Sequence, residues 1–280
     1  MAWLLPTLLL LTTLVQLYFW GYLFVRLARH TPQPPAPPSE PPPVSLIICA
    51  RNEGPNLRRH LEHWLAQDYP EFELLIVDDA STDGSGVYLR EMAQRHHRLR
   101  VVRLEEKPAG SGKKHALEAG IRAAQYDCLL LTDADCRPAS RHWMREMAAR
   151  SGGRTEIVLG YSPYEQRPGL LNRFIRFEAV YTAVQYLSFA LAGEPYMGVG
   201  RNLLYHRALW ERAGGFESHR ELAGVDDDLF VSAAARGGNT AVCLAPRAFV
   251  WTRPARSWGE YYRQKQRHVS TAVRYGRRHR

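Results

Sequence analysis

Between residues 44 and 132, short apolar runs alternate with amphipathic ones, and no other feature restricts the fold as much. Val44-Ser45-Leu46-Ile47-Ile48-Cys49, Phe72–Val77, Leu99–Leu104 and Cys128–Thr132 read as strands, the first and last as runs buried on both faces. Between them Leu57, Leu61, Trp64 and Leu65 recur at helical spacing after Pro55, a good first-turn residue. Further helices are predicted around Val87–Gln94 and over Lys114–Ala124, where Ala116, Leu117, Gly120 and Ile121 share one side. Strands and helices alternating through short loops form a mostly parallel, Rossmann-like α/β sheet with right-handed crossovers. Ligands of such sheets bind beyond the carboxyl ends of the strands, and polar residues of this chain cluster there.

Asp133-Ala134-Asp135 closes the last of these runs. In an extended chain residues i and i+2 point the same way, so the two carboxylates can share one hard divalent cation, Mg²⁺ or Mn²⁺, whose shell water and a diphosphate complete. Ala50-Arg51-Asn52-Glu53 follows the first strand, and Asp78-Asp79 follows the second, ahead of Ala80-Ser81-Thr82-Asp83-Gly84. A carboxylate at such an edge can accept hydrogen bonds from a nucleobase or a ribose. Ser81, Thr82 and Asp83 suit capping and turn work equally well.

Gly110-Ser111-Gly112-Lys113-Lys114 enters a helix but has Lys107 where the first glycine of a phosphate loop belongs, so that pattern fails. The turn could still attract nucleotide phosphate, or be a solvated loop. Gly224-Val225-Asp226-Asp227-Asp228-Leu229-Phe230 sets three acids beside apolar residues. With Leu229 and Phe230 in the core, one carboxylate would near a low dielectric and gain basicity; helix capping is the rival reading. Gln264 and Arg267 stand one helical turn apart, suited to a sugar and to phosphate oxygens, or to a plain basic surface helix.

Residues 2–25 carry no charge, and a helix of that length crosses the ~30 Å hydrocarbon layer. Arg26, Arg29 and His30 follow it, so the positive-inside rule expects a single N-terminal span in the cell membrane with the rest of the chain in the cytoplasm. The expected organisation is an anchor over 1–28, a proline-rich semi-rigid linker over 29–43, an α/β domain over 44–250 and a basic segment over 251–280. That last segment holds nine Arg and Lys against Glu260 alone and so contributes nearly all of the formal +9 charge. It suggests a membrane surface or a diphosphate as partner; with no nucleic-acid-binding signature beside it, nucleic acid is not expected. Residues 170–192 read as an apolar helix broken by Arg173, Arg176 and Glu178, packed in the core, lying at a membrane interface or lining an acceptor groove. Cys49, Cys128, Cys136 and Cys243 lack metal-ligand spacing and are expected as reduced thiols.

Taken in order, Ala-Arg-Asn-Glu after a strand, Val77-Asp78-Asp79-Ala80-Ser81-Thr82-Asp83-Gly84, Gly112-Lys113-Lys114-His115-Ala116-Leu117, Asp133-x-Asp135, Asp226-Asp227-Asp228-Leu229 and Gln264-x-x-Arg267 resemble the family 2 inverting glycosyltransferases of GT-A fold. The likeness covers about residues 44–270 and is closest to membrane-anchored bacterial members related to the cellulose and hyaluronan synthases. Val225 replaces the usual Glu before Asp226, and His268 stands where processive synthases carry Trp. The resemblance implies that Glu53 and Asp79 hold the nucleoside, with Ala50, Asn52, Lys113 and Asp133 also on the donor side. It further implies that Asp133 and Asp135 bind the metal, that Asp226 is the base, and that Gln264 and Arg267 close over the diphosphate or a glycan or lipid-linked acceptor. Gly200-Arg201-Asn202 would lie beside the acceptor. Nucleotidyl transfer and a catalytically silent nucleotide-binding scaffold are the competing readings. Because the sequence ends on a basic flank, further membrane helices or a membrane-protein partner are also expected.

Overall fold

The computed structural model describes residues 3–31, 40–106, 113–216 and 226–269, with backbone only at 226–227 and 267–269. Its first helix is continuous from Leu4 to Arg29: α1 (Leu4–Leu17), a π-helical stretch Tyr18–Phe24 and α2 (Val25–Arg29). Among the described residues it is the one helix long and apolar enough to cross a membrane. The upper part is exposed on all sides, whereas Leu23 and Phe24 are buried. The expected linker falls mostly on residues 32–39, which lie outside the description.

In the sheet, β1 (Val44–Ala50) pairs in parallel with β2 (Phe72–Asp79) on one side and with β4 (Cys128–Asp133) on the other, and β3 (Leu99–Leu104) pairs in parallel with β2. Each central strand is buried on both faces, as its unbroken apolar sequence requires. Leu46, Ile48, Leu74, Ile76 and Leu130 join one core, and Ile47, Leu75, Leu129 and Leu131 join the other. Helices α3 (Gly54–Leu65) and α4 (Ser85–Arg95) cover the first face; α5 (Lys114–Ala123) covers the second with Ala116, Leu117, Gly120 and Ile121. The predicted elements are all present. The second strand runs two residues further than the pattern indicates, because Asp78 and Asp79 keep pairing with Ala50 and Leu104.

Four strands in the second half were not anticipated: β6 (Ile157–Gly160), β7 (Leu203–His206) and β8 (Thr240–Cys243) extend the sheet to the order β3-β2-β1-β4-β7-β6-β8, with β7 antiparallel to both its neighbours. The fourth, β9 (Val250–Thr252), forms a separate ribbon with β5 (Cys136–Pro138). Five further helices complete the description: α6 (Trp143–Ala148), α7 (Leu170–Leu191), α8 (Arg207–Arg212), α9 (Asp226–Ala234) and α10 (Trp258–Val269). Helix α7 buries Ile175, Ala183, Tyr186 and Leu187 and exposes Leu170, Phe177 and Val180, so it serves core and surface at once. The four cysteines are free thiols, three of them buried.

Asn202 locks the two halves together. Trp143 Nε1 donates to its Oδ1 (2.9 Å), and its Nδ2 donates to the carbonyls of Tyr161 (2.9 Å) and Ala248 (2.8 Å). The Asn202 amide fits only because Gly160 faces it: a Cβ at residue 160 would lie 2.3 Å from the Asn202 side-chain carbon. Gly160→Ala should therefore destabilise the domain by about 1–3 kcal/mol, the usual cost of overpacking a filled core. Urea unfolding followed by tryptophan fluorescence measures it, and an unchanged midpoint would contradict the lock.

Candidate active site

Strands β1, β2 and β4 end side by side, since the register pairs Ala50 with Asp78 and Cys49 with Asp133. Parallel pairing thus delivers the polar residues that follow three separate strands to one edge. The backbone there is bent in a way found at no other non-glycine position among the described residues: Asn52 and Ala80 have φ of 55° and 53°. Such strain persists only when surroundings hold it, and it concentrates at functional sites.

Hydrogen bonds between the two loops do the holding. Asn52 Oδ1 accepts from the Thr82 backbone N–H (2.8 Å), and the Asn52 N–H donates to Ser81 Oγ (2.9 Å). Asp83 accepts from the N–H of Ser85 (3.0 Å) and of Gly54 (3.1 Å), tying together the starts of α4 and α3. Asp78 accepts from the Ser81 N–H (3.1 Å) and faces Gly86 in the first turn of α4. Ala50 and Asp79 are buried, 2% and 3% exposed, at the base of these loops.

Asp133 closes β4, and Asp135 follows in a turn that leads into β5. The pair converges, though by a turn and not by strand alternation. Ligand atoms of Asp133, Asp135 and Cys136 lie within 4.8 Å of one another. Burial and the neighbouring Asp133 charge push the Asp135 carboxyl above the usual carboxylate range, against the pull of Cys136, Arg201 and Lys113. Glu53 is also raised, by burial and by Asp135, Asp133 and Asp83, with a hydrogen bond from Asn56 (2.6 Å) opposing. Three carboxylates therefore share one field.

Two cations answer it. Lys113 Nζ contacts Asp133 Oδ1 at 2.5 Å. Burial disfavours the Arg201 charge, but Tyr164, Cys136, Asp133 and Asp135 more than offset this and raise its pKa. Thr132 Oγ1 donates to the Arg201 carbonyl (2.9 Å), and Arg201 Nη1 donates to Tyr164 Oη (3.1 Å), whose ring the guanidinium also covers at 5.1 Å. Arg201 is thus part of the acidic centre.

Converging carboxylate oxygens suit a hard cation such as Mg²⁺ or Mn²⁺. Cys136 fits it less well: burial, Asp135 and Asp133 raise its thiol well above the ordinary range, and a protonated thiol is a poor ligand for such an ion. Thr252 Oγ1 reaches Asp135 Oδ2 at 3.4 Å, brought there by the β5–β9 pairing. Sequence reasoning took Cys136 for an ordinary reduced thiol and passed over Thr252 and Tyr164, which the pairing around β9 reveals.

The remaining predicted residues divide. Gln264 on α10 donates to Tyr164 Oη (3.4 Å) and so joins the same network. Lys265, on the same helix, forms an ion pair with Glu178 of α7, and Tyr261 donates to Glu178 Oε2 (2.7 Å), fixing α10 against α7. Asp226 begins α9, where Leu229 and Phe230 are buried as expected; the side chains of Asp226 and Arg267 lie outside the described residues. Residues 107–112 of the glycine turn lie outside them too.

A family model described as glycosyltransferase like family 2 matches residues 41–271. Over 255 residues the chain is 24% identical to a probable glycosyltransferase of Bacillus subtilis, YdaM, covering 87% of this chain and 58% of that protein. A stretch of 132 residues is 29% identical to a beta-monoglucosyldiacylglycerol synthase of Nostoc, covering 46% of this chain and 27% of that protein. Among solved structures, the mannosyltransferase PcManGT of Pyrobaculum calidifontis in complex with GDP-Man and Mn²⁺ superposes with a TM-score of 0.71 at 26% identity, covering 94% of this chain and 72% of the other. The chain therefore spans a little over half the length of the Bacillus relative.

Hydrogen bonds from Ser85 and Gly54 hold the Asp83 carboxyl below its ordinary pKa although burial alone would raise it. A depressed folded pKa adds stability that is present above the unfolded value of about 3.9 and fades as pH falls through the folded one. Asp83→Ala should cost about 0.5–2 kcal/mol at pH 7, in the range of a lost helix cap. Denaturation at pH 7 and pH 3 checks this: the gap between wild type and variant should narrow in acid, and a gap that widens would contradict the assignment.

Proposed function

The chain belongs to glycosyltransferase like family 2, and from that premise we propose that it is a membrane-anchored, metal-dependent inverting glycosyltransferase that moves a sugar from a nucleotide-sugar donor to a hydroxyl acceptor on a glycan or a lipid. The observation that carries this reading is the convergence of Asp133 and Asp135 at the carboxyl edge of the sheet, within reach of Lys113 and Arg201. The Pyrobaculum mannosyltransferase, bound to GDP-Man and Mn²⁺, supports both donor class and metal.

In this scheme the nucleoside lies along the loops after β1 and β2, against Ala50, Asn52, Glu53 and Asp79. Asp133 and Asp135 would hold Mg²⁺ or Mn²⁺, whose charge favours departure of the nucleoside diphosphate. Lys113 exchanges its contact with Asp133 for a phosphate oxygen as the diphosphate enters, lending its point charge to the leaving group. Asp226, at the start of α9, takes the proton of the acceptor hydroxyl, which is too weak a nucleophile at its own pKa. The hydroxyl oxygen attacks the anomeric carbon from the side opposite the diphosphate, so the centre inverts without a covalent enzyme intermediate. Gln264 and Arg267 close over the diphosphate from α10.

Helix Leu4–Arg29 is the anchor in this reading, and Arg26 and Arg29 at its end favour a catalytic domain on the cytoplasmic side. The domain follows the spacer at about residue 44 and gives way to the basic segment near 250. A membrane-protein partner fits the same reading.

Nucleoside diphosphate release from a panel of sugar nucleotides with Mn²⁺ tests the reaction. Asp133→Ala and Asp135→Ala should each lower turnover by at least about 100-fold, the scale of losing an electrostatic stabiliser of the leaving group, and chelation should do the same. Pyrophosphate release from a nucleoside triphosphate would instead identify nucleotidyl transfer. Asp226→Asn should lower kcat by about 10²–10⁴-fold, the range for a general base, while leaving donor binding intact. Unchanged turnover in that variant would remove Asp226 from the base role.

A further inference from the structure

The N-terminal helix holds one polar group that its surroundings leave incompletely satisfied. Residues 2–25 are uncharged and α1 buries none of its side chains, so with the helix in a bilayer its leucines meet lipid and need no other partner. Gln16 is different. At about 1.5 Å per residue it stands roughly 18 Å from Leu4 and roughly 14 Å from Val25, near the middle of the hydrocarbon layer and too deep for its amide to reach water. An amide at that depth is unfavourable unless it is hydrogen-bonded.

Part of the need is met within the helix. Trp20 Nε1 donates to Gln16 Oε1 (2.9 Å), and Thr12 Oγ1 donates to the carbonyls of Leu8 and Leu9 (2.9 Å each). A carboxamide offers two N–H donors and two acceptor lone pairs, so the indole takes one place of four. Neither N–H of Gln16 has an acceptor among the described residues. Nor does the rest of the chain come near. Leu23 and Phe24 are buried and the ring of Phe19 meets Phe189 of α7 at 6.4 Å, whereas Trp20 is 61% exposed, so the face that carries Gln16 and Trp20 is turned away from α7.

What remains of the amide is complementary to itself. Two such groups facing one another can each donate one N–H to the other's Oε1 while both keep their indole. The residues around Gln16 supply the packing: Leu5, Leu9, Thr12 and Gln16 follow at intervals of four, three and four, the spacing of a left-handed helix pair, and all four are exposed. Thr12 is small enough to let two backbones approach, and a single polar residue in an apolar seam fixes register and partner number. A two-fold contact requires one patch that fits its own copy, which this seam provides.

We propose that the N-terminal helix pairs within the membrane with the same helix of a second copy of this chain, through reciprocal Gln16 amide hydrogen bonds in the seam Leu5, Leu9, Thr12 and Gln16. The pairing rests on the membrane-anchor reading and is independent of the reaction.

The test uses the full chain in phosphatidylcholine liposomes. Energy transfer between donor- and acceptor-labelled copies, followed as lipid is added, gives the association constant. Gln16→Leu should weaken it at least about threefold, the scale of an interhelical hydrogen bond in a bilayer, and Gln16→Asn, which keeps the amide, should retain most of it. Leu9→Cys on the seam should form a disulfide-linked dimer under copper phenanthroline faster than Leu11→Cys on the opposite face, since a disulfide needs Cα atoms within about 7 Å. The native thiols are free and three of the four are buried, and the unaltered chain sets their background. Equal crosslinking at residues 9 and 11, or energy transfer that Gln16→Leu leaves unchanged, reduces the pairing to chance encounter and overturns the proposal. So does a membrane-bound chain that stays monomeric. Alkaline carbonate extraction separates the two readings: a chain that it releases overturns the anchor and the pairing together, whereas a chain that it leaves in the bilayer unpaired overturns the pairing alone.

Discussion

Crowding carboxylates at the end of a buried sheet is costly unless positive charge meets them, and the rest of this site is arranged around that requirement. Beyond the effect of burial, Asp133 raises the proton affinity of Asp135, and both raise that of Glu53. Lys113 and Arg201 are the protein's own answer, one a partly exposed ammonium paired with Asp133, the other a guanidinium held in place by Thr132 and Tyr164. A centre balanced in this way is poised to exchange partners. Divalent charge between the carboxylates would release Lys113 and leave two cations facing an incoming diphosphate.

The scaffold makes this arrangement inexpensive. Parallel pairing of β1 with β2 and β4 places three strand ends at one level, so each loop needs only a few residues to reach the site. The strained turns at Asn52 and Ala80 are held by hydrogen bonds that cross between those loops, and the cost is spread over Ser81, Thr82, Asp83 and Gly54. Several residues that look suited to a ligand thus serve partly as fasteners. Asn52 shows both aspects: its side-chain oxygen is taken up by Thr82 while its backbone lines the edge.

How much of this could be read in advance depended on the range over which the signal acts. Strands β1 to β4 and helices α3 to α5 announce themselves because apolar periodicity is local and each is at least six residues long. Strands β5 to β9 have three or four residues apiece, too short to show a period; β7 turns antiparallel and draws β6 and β8 into the sheet, while β5 and β9 pair with each other. The site followed the same division. Asp133 and Asp135 were legible from the strand that Asp133 closes, though the turn that brings Asp135 round was not, and the approach of Thr252 to Asp135 and of Tyr164 to Arg201 joins residues far apart in the chain through pairings that no window contains. Leucine-rich α7 showed its charges and its apolarity, yet only its neighbours settle which face does which.

Helix α7 joins features that sequence reading treated separately. Its buried face completes the core beneath the sheet, Glu178 fixes α10 and with it Gln264, its C-terminal half receives the N-terminal helix, and Arg173 and Arg176 stand beside an aromatic cavity that Tyr164 and Trp251 also line. A helix of 22 residues spans about 33 Å at 1.5 Å per residue, enough to run from the docked N-terminal helix to the edge of the acidic centre. Donor chemistry, by contrast, depends on β1, β2 and β4, none of which supplies that cavity's wall. The carboxylate centre and the cavity are therefore built on different elements that meet at Tyr164. Such a division allows the cavity wall to vary through α7 while the carboxylate centre, held by the parallel strands, stays as it is.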